Sequence, residues 1–420
     1  MTREHLINAF QLRRRVARGL KPAFLRALIG TAEAVPYPNP IYERRRSRGT
    51  TSFFLALASV SAGLFAQQTP SSAPELDKNK WQTASVESAG ISSKPLHDLE
   101  AAIRAGDFKK IGSVLIARHG KLVYETYFDG DANSLRDTRS ATKSITDALI
   151  GIAIGEKKLS GVDARLLQLL PEHARKLQNP DPRKDKITVE DFLTMSSPLE
   201  CDDWNDASRG NEERMYVVED WVQFILDLPI RGRMHVGEQI DPPPYGRYFS
   251  YCTGGVFILS EVLQKATGVR TDRYAEGKLF APLGITDEQW VYSPLDIPQT
   301  GGGLRLSSRD LLKIAQLYLN GGSWQGRRIV DEPWVRASTQ PHARIDDDTE
   351  YGYLWWLKSF KSGGKGYPAF FMSGNDGNKV AVFPALDLAV VITSTNYNTR
   401  GMHEQTEKLL TDYVLPAVSQ

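Results

Sequence analysis
Ser140 and Lys143, in Ser140-Ala141-Thr142-Lys143, are the side chains whose types and spacing point most directly to chemistry. On a helix, residues three apart share one face. A serine hydroxyl is a weak nucleophile near neutral pH, and a neighbouring amine can take its proton only when that amine is neutral. Burial at the positive end of a helix favours the neutral form, because desolvation and the helix dipole both penalise an ammonium. The pattern recurs at Ser362-Gly363-Gly364-Lys365, but a glycine-rich stretch disfavours a helix. Ser140 instead precedes an apolar helical run, Ile145 to Ile154. The competing reading of Ser140 is an ordinary serine at a helix start, where serine is a preferred cap.

Such a dyad needs a third group to pass a proton to the leaving group, and a tyrosine of lowered pKa can do so. Tyr251, in Tyr251-Cys252-Thr253, follows a proline-rich loop at Asp241 to Pro244 and precedes the apolar run Val256 to Leu263. Its competing reading is a packed aromatic. The acidic pairs Asp202-Asp203 and Glu212-Glu213 read as loop charges or cleft-rim residues, because neighbouring loop carboxylates usually point apart. Trp204, Trp355 and Trp356 could line a pocket or fill a core. The seven histidines have no zinc-like spacing. Gly363-Gly364-Lys365-Gly366 lacks the phosphate-loop pattern, and no Gly-x-Ser-x-Gly elbow occurs. Neither a metal nor a cofactor is implied.

The elements that must position these groups are legible in outline. Ile111 to Arg118 and Lys121 to Phe128 are β-branched and aromatic runs flanking His119-Gly120, which predicts a hairpin. Thr188-x-x-Asp191 and Ser307-x-x-Asp310 predict helix starts, the second helix ending near Asn320-Gly321-Gly322. Ala369 to Met372, Val380 to Phe383 and Ala389 to Thr393 read as strands. A mainly helical block, about 159–283, therefore interrupts sheet-forming ends, which predicts one sheet built from both ends of the chain.

Ordered along the chain, Ser140 to Lys143, Asp191-Phe-Leu-Thr-Met-Ser196, Tyr251-Cys-Thr, Phe280-Ala-Pro-Leu-Gly284, Gly301 to Asp310, Tyr351-Gly-Tyr-Leu-Trp-Trp356 and Gly374-Asn-Asp-Gly377 resemble segments of the serine hydrolases related to class C β-lactamases. That group includes esterases, DD-peptidases and 6-aminohexanoate-dimer hydrolases. The resemblance spans about Trp81 to Ala417. It implies an α+β, β-lactamase/transpeptidase-like fold: an antiparallel sheet flanked by helices, with an inserted, mainly helical subdomain.

By the same resemblance, Ser140 is the nucleophile, Lys143 its general base and Tyr251 the acid/base. The backbone N–H groups of Ser140 and Asn375 form the oxyanion hole, and Thr253, Ser373 and Gly374 contact substrate. Two departures bear on substrate. The second motif often ends in Asn, and here Thr253 loses the amide's paired donor and acceptor. A lysine that meets the carboxylate of β-lactam antibiotics is replaced by Met372, which removes a charge-assisted contact. Lys379 could supply that charge, but it reads as a solvent-facing strand residue. The expectation is a hydrolase of a neutral carboxylic ester or amide acting through an acyl-enzyme. The alternatives are a β-lactamase or DD-peptidase, and a non-catalytic sensor that stays acylated.

Composition bounds the rest. The net charge of +2 hides an asymmetry: the first fifty residues hold eleven Lys/Arg and three Asp/Glu, a local +8, leaving −6 for the remainder. That gives a nucleic-acid role little electrostatic support. Arg44, Arg45, Arg46 and Arg48 precede an uncharged stretch, Thr50 to Ala66, with an apolar heart at Phe53 to Leu57. This order predicts a secretory signal peptide at about 44–66 and hence a periplasmic or secreted protein. A retained membrane anchor is the alternative, and translation starting near Val35 would explain the long segment before Arg44. The expected organisation is a basic extension and signal peptide over 1–66, a linker over 67–80 and a catalytic domain over 81–418. No stable membrane insertion is expected once the leader is removed. Cys201 and Cys252 are the only cysteines. They could pair in an oxidising compartment, closing a loop of about fifty residues worth ~4 kcal/mol on the chain-entropy model, or remain as two buried thiols.

Overall fold
The computed structural model describes residues 81–232 and 244–418. The expected signal peptide, the linker and most of the proline-rich loop lie outside the described residues. Helix α1 (Ser93–Ala105) leads into strands β1 (Ile111–Arg118) and β2 (Lys121–Tyr127), paired antiparallel with Arg118 opposite Lys121. His119 and Gly120 both take positive φ (52° and 71°), as a two-residue turn matched to strand twist requires. Helix α2 (Thr142–Gly155) follows. Twelve of its fourteen residues are buried, which explains why its second half, from Ala148 to Ile154, is apolar all round rather than striped. The block up to Leu283 consists of short helices and turns around α3 (Thr253–Thr267), and α4 (Ser308–Leu319) begins where expected.

The remaining strands of the main sheet are β3 (Ala343–Arg344), β4 (Thr349–Tyr351), β5 (Trp356–Ser362), β6 (Lys365–Gly374), β7 (Asn378–Phe383) and β8 (Leu388–Ser394), and α5 (Met402–Leu409) follows them. They join β1 and β2 in one antiparallel sheet of order β2-β1-β8-β7-β6-β5-β4-β3. The sheet is thus closed by pairing β1 with β8, Ile116 facing Val390, as the sequence predicts. Alternate residues of each strand serve opposite cores. Val114, Ile116, Val390 and Ile392 pack with Leu96, Leu99 and the C-terminal helices. Leu115, Val391, Phe370 and Met372 pack with α2, α4 and the helical block.

The Thr188 capping box forms, with Asp191 accepting from the Thr188 N–H, and at the second start Ser307 caps α4 by accepting from the Asp310 N–H. Cys201 and Cys252 are joined as a disulfide with Cα atoms 5.5 Å apart. The repeat at Ser362 to Lys365 is the β5–β6 hairpin turn, and Ser362 Oγ donates to the Thr411 carbonyl. No helix among the described residues is long and apolar enough to cross a membrane.

Candidate active site
Ser140 sits in a single 3-10 turn, Arg139–Ala141, that runs directly into α2. Arg139 takes a positive φ of 48°. Thr138 holds the turn by donating from Oγ1 to the Leu304 carbonyl (2.7 Å), and Thr142 Oγ1 donates to the Arg139 carbonyl (2.7 Å). One helical turn on, Lys143 is 1% exposed. Its Nζ lies 2.9 Å from Ser140 Oγ and 3.1 Å from Thr253 Oγ1, and it also donates to the Gly301 carbonyl. Burial pulls the Lys143 pKa down to about 8, against the raising pull of Glu212 and Asp203. A neutral amine has two N–H bonds and one lone pair. With the donors spent on Gly301 and Thr253, the lone pair is left for the Ser140 proton.

Tyr251 stands just ahead of α3, buried, with its hydroxyl near Ser140 and the Lys143 Nζ 4.9 Å from its ring centroid. Burial pushes its phenol pKa up, and Asp203 and Glu212 push the same way. The lowered pKa expected from the sequence is therefore corrected. The resting phenol is protonated, a proton donor rather than a standing base. Trp204, 60% exposed, stacks on its ring at 5.5 Å and 5°. Phe249, Tyr351 and Trp356 complete this aromatic wall.

The third side is the end of β6 and the turn to β7. Gly374 comes so close to the nucleophile's turn that a Cβ there would lie 2.5 Å from the Thr138 carbonyl oxygen. Asn378 Nδ2 donates to the Asp137 carbonyl (2.9 Å), and Arg139 Nε pairs with Asp376 (3.3 Å). Asn375 lies in this turn, beside Asp376. Burial lifts Asp376 to about 6 against the lowering pull of Arg139. Among the described residues no group of His, Cys, Asp and Glu side chains is arranged to hold a metal ion.

A family model described as Beta-lactamase matches residues 99–413. The chain belongs to that family. Its serine-hydrolase fold, an antiparallel sheet with flanking helices, agrees with two solved structures. One is a Bacillus anthracis protein provisionally described as a 6-aminohexanoate-dimer hydrolase (TM-score 0.61, 19% identity, 76% of this chain and 83% of that one). The other is a class C beta lactamase from Rhodobacter sphaeroides (TM-score 0.54, 15% identity, 77% and 100%). In sequence the chain is 24% identical over 276 residues to a 6-aminohexanoate-dimer hydrolase from Paenarthrobacter ureafaciens. That match spans 59% of this chain and 64% of the relative's own length.

Within this beta-lactamase-family site, Ser140, Lys143 and Tyr251 converge as expected, and the Gly374–Asn375 turn abuts the nucleophile. Other residues fall differently. Thr253 is 2% exposed and hydrogen-bonded to Lys143, so it serves the amine rather than an open surface. Ser373 is half-buried, Met372 is buried in the core, and Trp355 is buried with Nε1 donating to Asp147. Lys379 is neither solvent-facing nor in the site. It is 2% exposed on the far face of the sheet, paired with Glu407 at 3.0 Å, because its strand parity points it there. Asp203 and Glu212, read as rim charges, bear on both Lys143 and Tyr251. The missed signal for Asp203 was its place two residues after Cys201, whose partner Cys252 follows Tyr251.

Proposed function
We propose that the chain hydrolyses a carboxylic ester or amide through an acyl-enzyme on Ser140. The observation that carries this reading is the buried Lys143 amine, 2.9 Å from Ser140 Oγ with its other contacts both acceptors. Lys143 takes the Ser140 proton as Oγ attacks the carbonyl carbon. The oxyanion is held by the N–H groups of Ser140 and Asn375; losing one such donor typically costs about 3 kcal/mol. Tyr251 gives its phenol proton to the leaving group, and the resulting phenolate is offset by the new ammonium of Lys143. In deacylation the phenolate takes a proton from water as the hydroxide attacks. Ser140 recovers its proton from Lys143 as it leaves, so both groups return to their starting states.

The substrate is neutral. Met372 supplies no cation, Lys379 is committed elsewhere, and Asp203 and Glu212 bear on the dyad, so a carboxylate-bearing β-lactam is disfavoured. Short linear amides, as the name of the Paenarthrobacter relative suggests, are a specific sub-case. The aromatic wall around Trp204 suits an apolar portion of the substrate. We also place the enzyme outside the cytoplasm, since a disulfide persists in oxidising compartments; fractionation of the expressing cell tests this, and a cytosolic enzyme with free thiols overturns it.

The test of activity is intact-mass spectrometry after a fluorophosphonate, followed by turnover of p-nitrophenyl esters, short amides and nitrocefin. A single adduct on Ser140 with ester or amide turnover above nitrocefin supports the reading. Acylation without steady turnover would instead make it a sensor, and nitrocefin as the best substrate would make it a β-lactamase.

A further inference from the structure
The loop that carries Trp204 is sewn to the segment that carries Tyr251 by four links. The Cys201–Cys252 bridge is one. Ser250 Oγ donates to the Cys201 carbonyl (2.7 Å), the Asp203 N–H donates to the Tyr251 carbonyl (2.8 Å), and the Thr253 N–H donates to Asp203 Oδ2 (2.6 Å). Asp203 Oδ1 accepts from the Glu212 N–H at 3.0 Å, so both carboxylate oxygens are engaged. Thr253 is also the residue whose hydroxyl meets Lys143 Nζ, and its N–H is the first of α3. Asp203 thus caps α3 from another segment, where the helix dipole favours an anion.

We infer that Asp203, held in place by the disulfide, is a positioning residue that keeps Thr253 against Lys143 and sets how tightly Lys143 holds its proton. This rests on the hydrolase reading above. Asp203 reaches the reacting atoms only through Lys143 and the Tyr251 segment. Four ionisable groups face it: Lys143 from α2, Glu212 from the adjoining helical turn, and the phenols of Tyr251 and Tyr216. Burial lifts Asp203 to about 7 while it pulls Lys143 down to about 8. The charge on each therefore bears on the proton of the other. An anionic Asp203 raises the Lys143 pKa; removing that charge lowers it.

Asp203→Asn keeps an oxygen for the Thr253 N–H but removes the charge. The acid limb of kcat/KM, read with a p-nitrophenyl ester, is expected to move to lower pH by roughly one unit, with KM little changed. Asp203→Glu, which keeps the charge, should leave the limb near its wild-type position even if kcat falls. The pH dependence of fluorophosphonate labelling at Ser140 gives the same limb in a variant too slow for turnover assays. A limb that stays put in Asp203→Asn, or that moves equally in Asp203→Glu, overturns the inference. Wild-type protein that never labels at Ser140 overturns the hydrolase reading instead, so the two failures are distinguishable.

Discussion
At the scale of single residues, the roles of Lys143 and Tyr251 separate cleanly. Lys143→Ala removes the group that takes the Ser140 proton, so labelling at Ser140 itself should slow by roughly 10²–10⁴, not only turnover. Tyr251→Phe keeps the ring on which Trp204 stacks and should fold normally. It should lose turnover on a similar scale, with poor leaving groups hit hardest; unchanged rates would remove Tyr251 from the mechanism. Because Lys143 must be neutral and sits at about 8, kcat/KM should rise with pH through that region, and a flat profile from pH 6 to 9 would argue against it as base. That Ser140, Lys143 and Tyr251 meet was legible through the ordered family-like segments that hold them, not through the Ser140–Lys143 spacing alone, which recurs at Ser362 and Lys365. Asp203 was not, because its meaning depends on Cys201 meeting Cys252 across a separation of 51 residues. The protonated state of Tyr251 was not legible either, since burial is a property of the assembled wall.

At the scale of elements, the site is a junction of three segments whose backbones nearly touch. Gly374→Ala puts a Cβ 2.5 Å from the Thr138 carbonyl oxygen. The β6–β7 turn must then retreat from the turn of Ser140. The expected outcome is a fall in kcat of about a hundredfold, the scale of one lost oxyanion donor, with melting temperature lowered by only a few degrees. Equal activity would mean that this turn is no part of the oxyanion hole. Reducing the Cys201–Cys252 bridge should lower kcat in parallel with thiol release, because two of the segments lose a covalent link; activity indifferent to reductant would show the hydrogen bonds suffice. The hairpin, both helix starts and three long strands could be read from periodicity and caps. The two- and three-residue strands β3 and β4 were not, because a segment that short has no period to detect.

At the scale of the whole molecule, burying charge at and behind the site has a thermodynamic signature. Asp147, on α2, is lifted by burial to about 7 although Ser338, Trp355 and Tyr318 all donate to it. Asp203 and Asp376 are lifted as well. A carboxyl whose folded pKa lies above its unfolded value binds more protons when folded, so stability falls as pH rises between the two values. Melting temperature should therefore decline from about pH 5 to pH 7.5, and Asp147→Asn should flatten part of that slope. A melting temperature that climbs over this interval would contradict the burial of these groups. The sheet made from both ends was legible at this scale, whereas the way Met372 and Lys379 face opposite cores required the register.

Pairing β1 with β8 also sets an order of events in the life of the chain. Ile116 meets Val390 only after the whole helical block has been made, and closing so long a loop is slow and entropically costly. The Gly374–Asn375 turn, which completes the pocket, is likewise made long after Ser140 and Lys143. A nascent or C-terminally shortened chain therefore carries its serine and lysine without the wall that gives them chemistry. The proposed hydrolysis therefore waits until that turn has been made, and until then the nucleophile stays silent.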